Sequence, residues 1–148
     1  MRQLPVVLFL VMVVAGCGSN TGKVVSGWSA PASGLQLQIS SAPRCARDGR
    51  GLASFAVTCE IKNVGSAPAA ILLLARLYLT DGAGNTVKCQ RVEDHADMGR
   101  AKPTIPPGGS TSWTQDGLCK PQPGPHQLHA TWDGDPSLKS LPLPITIR

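Results

Sequence analysis

An all-β sandwich of seven short antiparallel strands is the fold this sequence predicts, and three observations predict it. Glycine and proline, 16 and 13 of 148 residues, recur along the whole chain and cut it into pieces too short for long helices. Between those breaks, apolar residues recur at every second position, the period of a strand with one buried face. Turn-forming clusters separate the pieces, as in a protein that folds strand against strand.

The elements follow in order. Leu35, Leu37 and Ile39 alternate with Gln36, Gln38 and Ser40 and make the first strand. In the second, Phe55, Val57, Cys59 and Ile61 alternate with Ala56, Thr58, Glu60 and Lys62, and the residues from Asn63 to Pro68 turn the chain. Ile71, Leu73, Ala75, Leu77 and Leu79 share one parity in the third, opposite Arg76, Tyr78 and Thr80. This leucine- and alanine-rich run also suits a buried helix on intrinsic propensity. Gly65 and Pro68 before it, and the loop Asp81-Gly82-Ala83-Gly84-Asn85 after it, favour a strand that ends in a hairpin. Residues 86–92 return as the fourth strand. A long connection from Glu93 to Gly109 holds Pro103, Pro106 and Pro107. Residues 110–115 form the fifth strand around Trp113. Residues 125–132 form the sixth, with Leu128, Ala130 and Trp132 on one face. The last spans 141–147, with Leu141, Leu143, Ile145 and Ile147 in register.

The amino terminus has a different character. Met1 and Arg2 precede an apolar run from Leu4 to Val14, and Ala15 and Gly16 are small, the three-part form of an export signal. The run is too short for a membrane-spanning helix, which needs about 20 apolar residues. Val14-Ala15-Gly16-Cys17 resembles the lipobox of bacterial lipoproteins, where only short side chains fit the cleavage site and the cysteine thiol is alkylated. The resemblance implies that residues 1–16 are removed and that Cys17 carries a diacylglycerol and then an amide-linked acyl chain of the palmitate class. Two or more acyl chains hold a protein stably on a bilayer. Gly18 and Ser19 stand where an aspartate would retain the protein on the inner membrane, so the same resemblance implies the outer membrane and a domain facing the periplasm. The polar, Gly/Ser-rich stretch up to Gly34 reads as a flexible tether, with Trp28 able to touch lipid headgroups. The expected organisation is a signal over 1–16, a lipidated linker over 17–34 and one β-sandwich over 35–148.

Seven strands within that last span resemble an immunoglobulin-like sandwich, and their order is similar to the fibronectin-III-like domains of secreted bacterial proteins. The segments EIKNVGSAP, IPPGGSTSW and PGPHQLHATW carry the likeness. These segments are turn-and-strand grammar, so the resemblance implies a fold and no activity. The tryptophan on the third strand and the cysteine on the sixth that mark antibody domains are missing, and there is no internal repeat.

With Cys17 taken by lipid, Cys45, Cys59, Cys89 and Cys119 remain. Four cysteines in an exported protein imply disulfides and allow three pairings. Nearness in sequence and shared ends of the sandwich favour Cys45–Cys59 with Cys89–Cys119. Cys45–Cys119 with Cys59–Cys89 is the alternative, and Cys59, on a core face, also reads as a plain buried thiol. No pair has the C-x₂₋₄-C spacing of a zinc site.

The formal charge of +5 is scattered, with Arg44, Arg47 and Arg50 the one cluster. Aromatics make up only 4% of the chain, so a basic stripe with interleaved rings for nucleic acid is lacking. His126 and His129 stand three apart on a strand and so point to opposite faces, which prevents them from sharing a metal. His95 and Met98, in Asp94-His95-Ala96-Asp97-Met98, suit copper because a thioether is a soft ligand. That set is similar to periplasmic copper chaperones, which use several methionines where this mature chain has Met98 alone. The Asp81–Asn85 loop has too few oxygen ligands for calcium. A nucleophile elbow, a glycosidase carboxylate pair and a phosphate-cradling glycine motif are all missing from the sequence. The expectation is therefore a non-enzymatic, lipid-anchored binding or scaffolding module without metal or cofactor, its partner an envelope protein or glycan. Arg76, Tyr78, Lys88 and His129 would share the outer face of one sheet as the partner surface. The alternatives are a hydrolase inhibitor acting through the 93–109 loop and a copper-binding protein using His95 and Met98.

Overall fold

The computed structural model describes residues 22–91 and 102–148. The described residues form two facing sheets and a small ladder. In the first sheet β1 (Val24–Val25), β2 (Leu35–Ser41), β4 (Ala53–Asn63) and β9 (Ser110–Cys119) lie side by side in that order. The second runs β3 (Arg44–Cys45), β11 (Leu143–Ile147), β10 (Gly124–Trp132), β6 (Ala75–Asp81) and β7 (Thr86–Lys88). The ladder joins β5 (Ala69–Ala70) to β8 (Thr104–Ile105). The chain changes sheet between β2 and β3, between β3 and β4, between β4 and β6, between β7 and β9, and again between β9 and β10. That Greek-key alternation makes the molecule an immunoglobulin-like β-sandwich.

All seven expected strands are present, as β2, β4, β6, β7, β9, β10 and β11. Their alternating residues bury as the parity requires. Leu37, Ile39, Phe55, Val57, Cys59 and Ile61 project from the first sheet into a shared core. Leu77, Leu79, Leu128, Ala130, Ile145 and Ile147 meet them from the second. Gln115 crosses the interior: its Oε1 accepts from the Ala75 amide (2.9 Å) and from the Trp113 indole (3.3 Å), so a buried amide ties β9 to the start of β6.

Three details of the strands depart from the sequence expectation. The third strand begins at Ala75 rather than Ile71, because Ile71–Leu74 carry the chain from one sheet to the other. There the Ile71 amide donates to Pro103 O and the Leu74 amide to Leu72 O, both at 2.9 Å. The last strand begins at Leu143, and Leu141 is exposed. One pairing is parallel: after Ser41, Ala42 and Pro43 move the chain across to the second sheet, where Arg44 and Cys45 run alongside Thr146 and Ile147.

The stretch expected as a flexible tether is bound to the sandwich from Val24 onward. Val24 and Val25 pair with Ser41 and Ser40. The Ser26 and Ser29 amides donate to Ile39 O and Leu37 O, and their hydroxyls accept from the Ile39 and Leu37 amides at 3.0 and 2.9 Å. The serines thus cover the hydrogen-bonding edge of β2, which would otherwise be open to another chain. Trp28, half-buried, belongs to this bound segment.

The cysteines keep one half of the favoured pairing, Cys89–Cys119, and not the other. Cys89 and Cys119 form a disulfide that joins the residue after β7 to the end of β9, the facing edge strands of the two sheets. Beside it Gln90 and Leu118 exchange two backbone hydrogen bonds of 2.8 Å. Cys59 is a free, buried thiol, which overturns its expected place in a disulfide with Cys45. The reason is distance. Cys45 Sγ lies 3.9 Å from Ser54 O, and Cys59 sits five residues further along β4, about 17 Å away. A disulfide needs Cα atoms within about 7 Å. Cys45 is nonetheless engaged, with a partner other than Cys59.

Candidate functional site

The outer face of the second sheet is built by the odd partners of the core residues. Because Leu77 and Leu79 point inward, Arg76, Tyr78 and Thr80 point out. On β10 the same alternation places Gln127, His129 and Thr131 outward, and on β7 it places Thr86 and Lys88. Register then sets neighbours: Thr131 opposite Arg76, His129 opposite Tyr78, Tyr78 opposite Lys88 and Thr80 opposite Thr86. Arg76, Tyr78, Lys88 and His129, expected together from parity alone, do share this face.

Two grooves meet at Tyr78. One, of about 480 Å³, lies over Tyr78, Thr80, Thr86, His129 and Thr131. Its far wall is the β10–β11 connection, through Pro136, Lys139 and Ser140. That connection is held down by backbone pairing: Trp132 N–H donates to Leu138 O (3.0 Å), Ser140 N–H donates to Ala130 O (2.9 Å), and the Ala130 amide donates to Ser140 Oγ (2.9 Å). The second groove, of about 510 Å³, runs between Arg76, Tyr78, Lys88, Gln90 and Arg91. The Asp133 carboxylate pairs with Arg91 and lies 3.9 Å from Arg76 Nε, which leaves the groove with more positive charge than negative. Partial burial lowers the His129 imidazole below its ordinary pKa, so at neutral pH it is an uncharged hydrogen-bonding group. The face thus offers an aromatic ring, hydroxyls, a neutral imidazole and several cations. Groups of these kinds can hydrogen-bond to polar or acidic atoms, with the ring as a flat contact.

The other sequence candidates fall elsewhere. His126 points inward, is buried, and its Nδ1 lies 2.9 Å from Gly124 O. It shares no face with His129. Among the described residues no group of three or more His, Cys, Asp or Glu side chains is placed to hold a metal ion. The lipobox residues Val14–Cys17, the copper candidates His95 and Met98, Val92 at the end of the expected fourth strand, and residues 93–101 of the long connection lie outside the described residues. The remainder of that connection is fixed to the sandwich. Thr104 and Ile105 pair with Ala70 and Ala69, and the Gly108 amide donates to Asn63 O at 2.7 Å. Asn63, buried at the end of β4, gathers the surrounding loops. Its Nδ2 donates to Ala67 O (2.8 Å) and Ile105 O (3.2 Å), and its Oδ1 accepts from the Gly65 amide (3.0 Å).

Sequence reasoning missed the grooves themselves. The first depends on the 133–142 connection folding back beside β10, and turn residues such as Asp133-Gly134-Asp135 signal only that the chain reverses.

No family model matches the chain, and no curated protein matches it. Solved structures resemble it at low identity. A proposed lipoprotein of Bacillus subtilis is 17% identical with a TM-score of 0.46, over 76% of this chain and 36% of that one. An uncharacterized β-sandwich protein of Clostridium difficile is 15% identical with a TM-score of 0.42, over 81% and 91%. A conserved hypothetical protein of Bacillus anthracis is 11% identical with a TM-score of 0.43, over 88% and 100%. Likeness at this level carries nothing about ligand or chemistry.

Proposed function

We propose that this chain is a lipid-anchored, non-enzymatic binding module of the bacterial cell envelope. In this reading the lipobox delivers Cys17 to acylation, and the sandwich stands on the periplasmic side of the outer membrane. The outer face of the five-stranded sheet is the binding surface, and its partner is an envelope protein or glycan rich in acidic or hydroxyl groups. The observation that carries the reading is the pair of grooves meeting at Tyr78, framed by His129, Lys88, Arg76 and Arg91. A surface with one ring, several cations and fixed hydroxyls is suited to hold a polar partner and offers no evident nucleophile with its base.

Photo-crosslinking tests this in intact cells. A light-activated cross-linking residue replaces Thr80 on the face in one strain, and Thr114 on the outer face of the opposite sheet in another. The reading predicts a defined adduct from position 80, absent from position 114 and abolished by Tyr78→Ala with Lys88→Glu. Equal adducts from both sheets, or an adduct that survives the double substitution, would contradict it.

A further inference from the structure

The end of the sandwich at which the chain enters is basic. β1 follows directly on Lys23, and Val24 pairs with Ser41 at the close of β2. From Ser41 the chain passes to β3 and the 46–52 loop, so Arg44, Arg47 and Arg50 gather at this same end. The Arg47 amide donates to Arg148 O (3.0 Å), which brings the last residue of β11's extension beside them. Lys120 follows Cys119, which pairs with Ala53 at the start of β4. A methyl group built on Gly51 would lie 4.0 Å from both Arg47 Nη1 and Lys120 Cε, so these two cations flank one loop. Arg44, Arg50, Lys120 and Arg148 are exposed.

Asp48 and Asp81, carboxylates at this end among the described residues, are already engaged. Asp48 accepts from the Leu52 and Arg50 amides and pairs with Arg50 at 3.0 Å. Asp81, in the β6–β7 turn, is held by Asn85 and by the Ala83 amide. Arg47 Nε is buried without an acceptor among the described residues. Among the described residues, this end thus carries more positive than negative side-chain charge.

Its position gives the charge a partner. If Cys17 is acylated, as proposed above, only residues 18–23 separate the bilayer from β1, a span of at most about 25 Å. The end that enters first is then the end that faces the headgroups, and a modest tilt brings its cations within a Debye length, about 8–10 Å, of the membrane surface. We infer that the Arg44, Arg47, Arg50, Lys120 and Arg148 end of the sandwich docks on anionic phospholipid headgroups and holds the domain against the membrane. Docking of this end leaves the Tyr78 grooves, on the flank of the second sheet, turned sideways and open to an envelope partner.

The inference rests on the anchored reading for its geometry, and the test separates the two. The mature chain is exported without lipid, behind a conventional signal in place of residues 1–16, and sedimented with vesicles. Vesicles of phosphatidylglycerol and phosphatidylcholine are compared with phosphatidylcholine alone at low salt. Binding to the anionic vesicles only is expected, weakened about 100-fold by Arg44→Gln, Lys120→Gln and Arg148→Gln together, at roughly a fivefold loss for each surface cation. Arg76→Gln with Lys88→Gln, on the sheet face, is expected to leave binding within twofold. An unchanged denaturant midpoint in each variant shows that the fold is intact. Equal binding to both vesicles, or indifference to the triple substitution, overturns the inference whatever Cys17 carries. Charge-dependent binding by the lipid-free chain upholds it even if the native protein proves to lack the anchor.

Discussion

Tyr78 and His129 are register partners across the β6–β10 ladder, both directed outward, so ring and imidazole stand together on the floor of one groove. Directly opposed residues on one face of a sheet have Cβ atoms about 5 Å apart, close enough for a ligand to touch both. His129 is half-buried there, and burial disfavours its charged form.

That burial makes stability pH-dependent with a definite sign. The folded-state pKa of His129 is lowered, so below about 6.5 the unfolded chain binds the proton first. Its contribution is fully present above pH 6.5 and is lost as pH falls through 6.5 toward the folded value. His129→Gln should flatten this part of the profile between pH 7.5 and 5. Urea midpoints across that range, for both proteins, measure it; parallel profiles would show that the imidazole stays solvated.

The Cys89–Cys119 disulfide closes a loop with a sequence separation of 30 between the edges of the two sheets. Loop-closure entropy assigns such a bridge about 3–4 kcal/mol. Cys89→Ser with Cys119→Ser should lower stability by that amount in urea titrations while leaving the far-ultraviolet spectrum unchanged. A loss under about 1 kcal/mol would mean that the paired Gln90 and Leu118 backbones hold the edges without help.

Asn63 satisfies groups from several loops at once. Asn63→Ala leaves Ile105 O, Ala67 O and the Gly65 amide without their side-chain partner. The Gly65 amide keeps its bond to Gly34 O (3.0 Å), so the cost falls on the two carbonyls; at about 1–3 kcal/mol for each group left unsatisfied, a total of roughly 2 kcal/mol or more is expected. Faster amide exchange confined to the 64–70 and 103–109 segments would mark the same loosening.

Cys59 is predicted to be inert. Burial pushes its thiol up to about 12, and the group has no exposed surface. Iodoacetamide should label Cys59 only after denaturation, as read by peptide mass. Labelling of the native protein, or a peptide joining Cys59 to another cysteine, would contradict its placement in the core.

What was legible in the sequence follows from period. Strands with one wet face, such as β2 and β4, announce both their existence and their inward residues, and the same parity put Arg76, Tyr78, Lys88 and His129 on one face. Boundaries were less legible where apolar residues do something other than pair. Ile71 keeps strand parity and is fully buried, yet it belongs to a crossing between sheets. Ser26 and Ser29 look like a solvated linker because hydroxyls suit water, and here the same hydroxyls suit the amides of β2. Cys59 illustrates a different limit. Its inward parity was plain, but whether another sulfur lay within reach depended on distances along and between strands.

Intact mass of the native protein, extracted from membranes with detergent, tests the central claim most directly. The account predicts a chain that begins at Cys17 and carries diacylglycerol in thioether linkage with an added acyl group. A chain without acyl mass, or Cys17 recovered in a disulfide with Cys45, would contradict it.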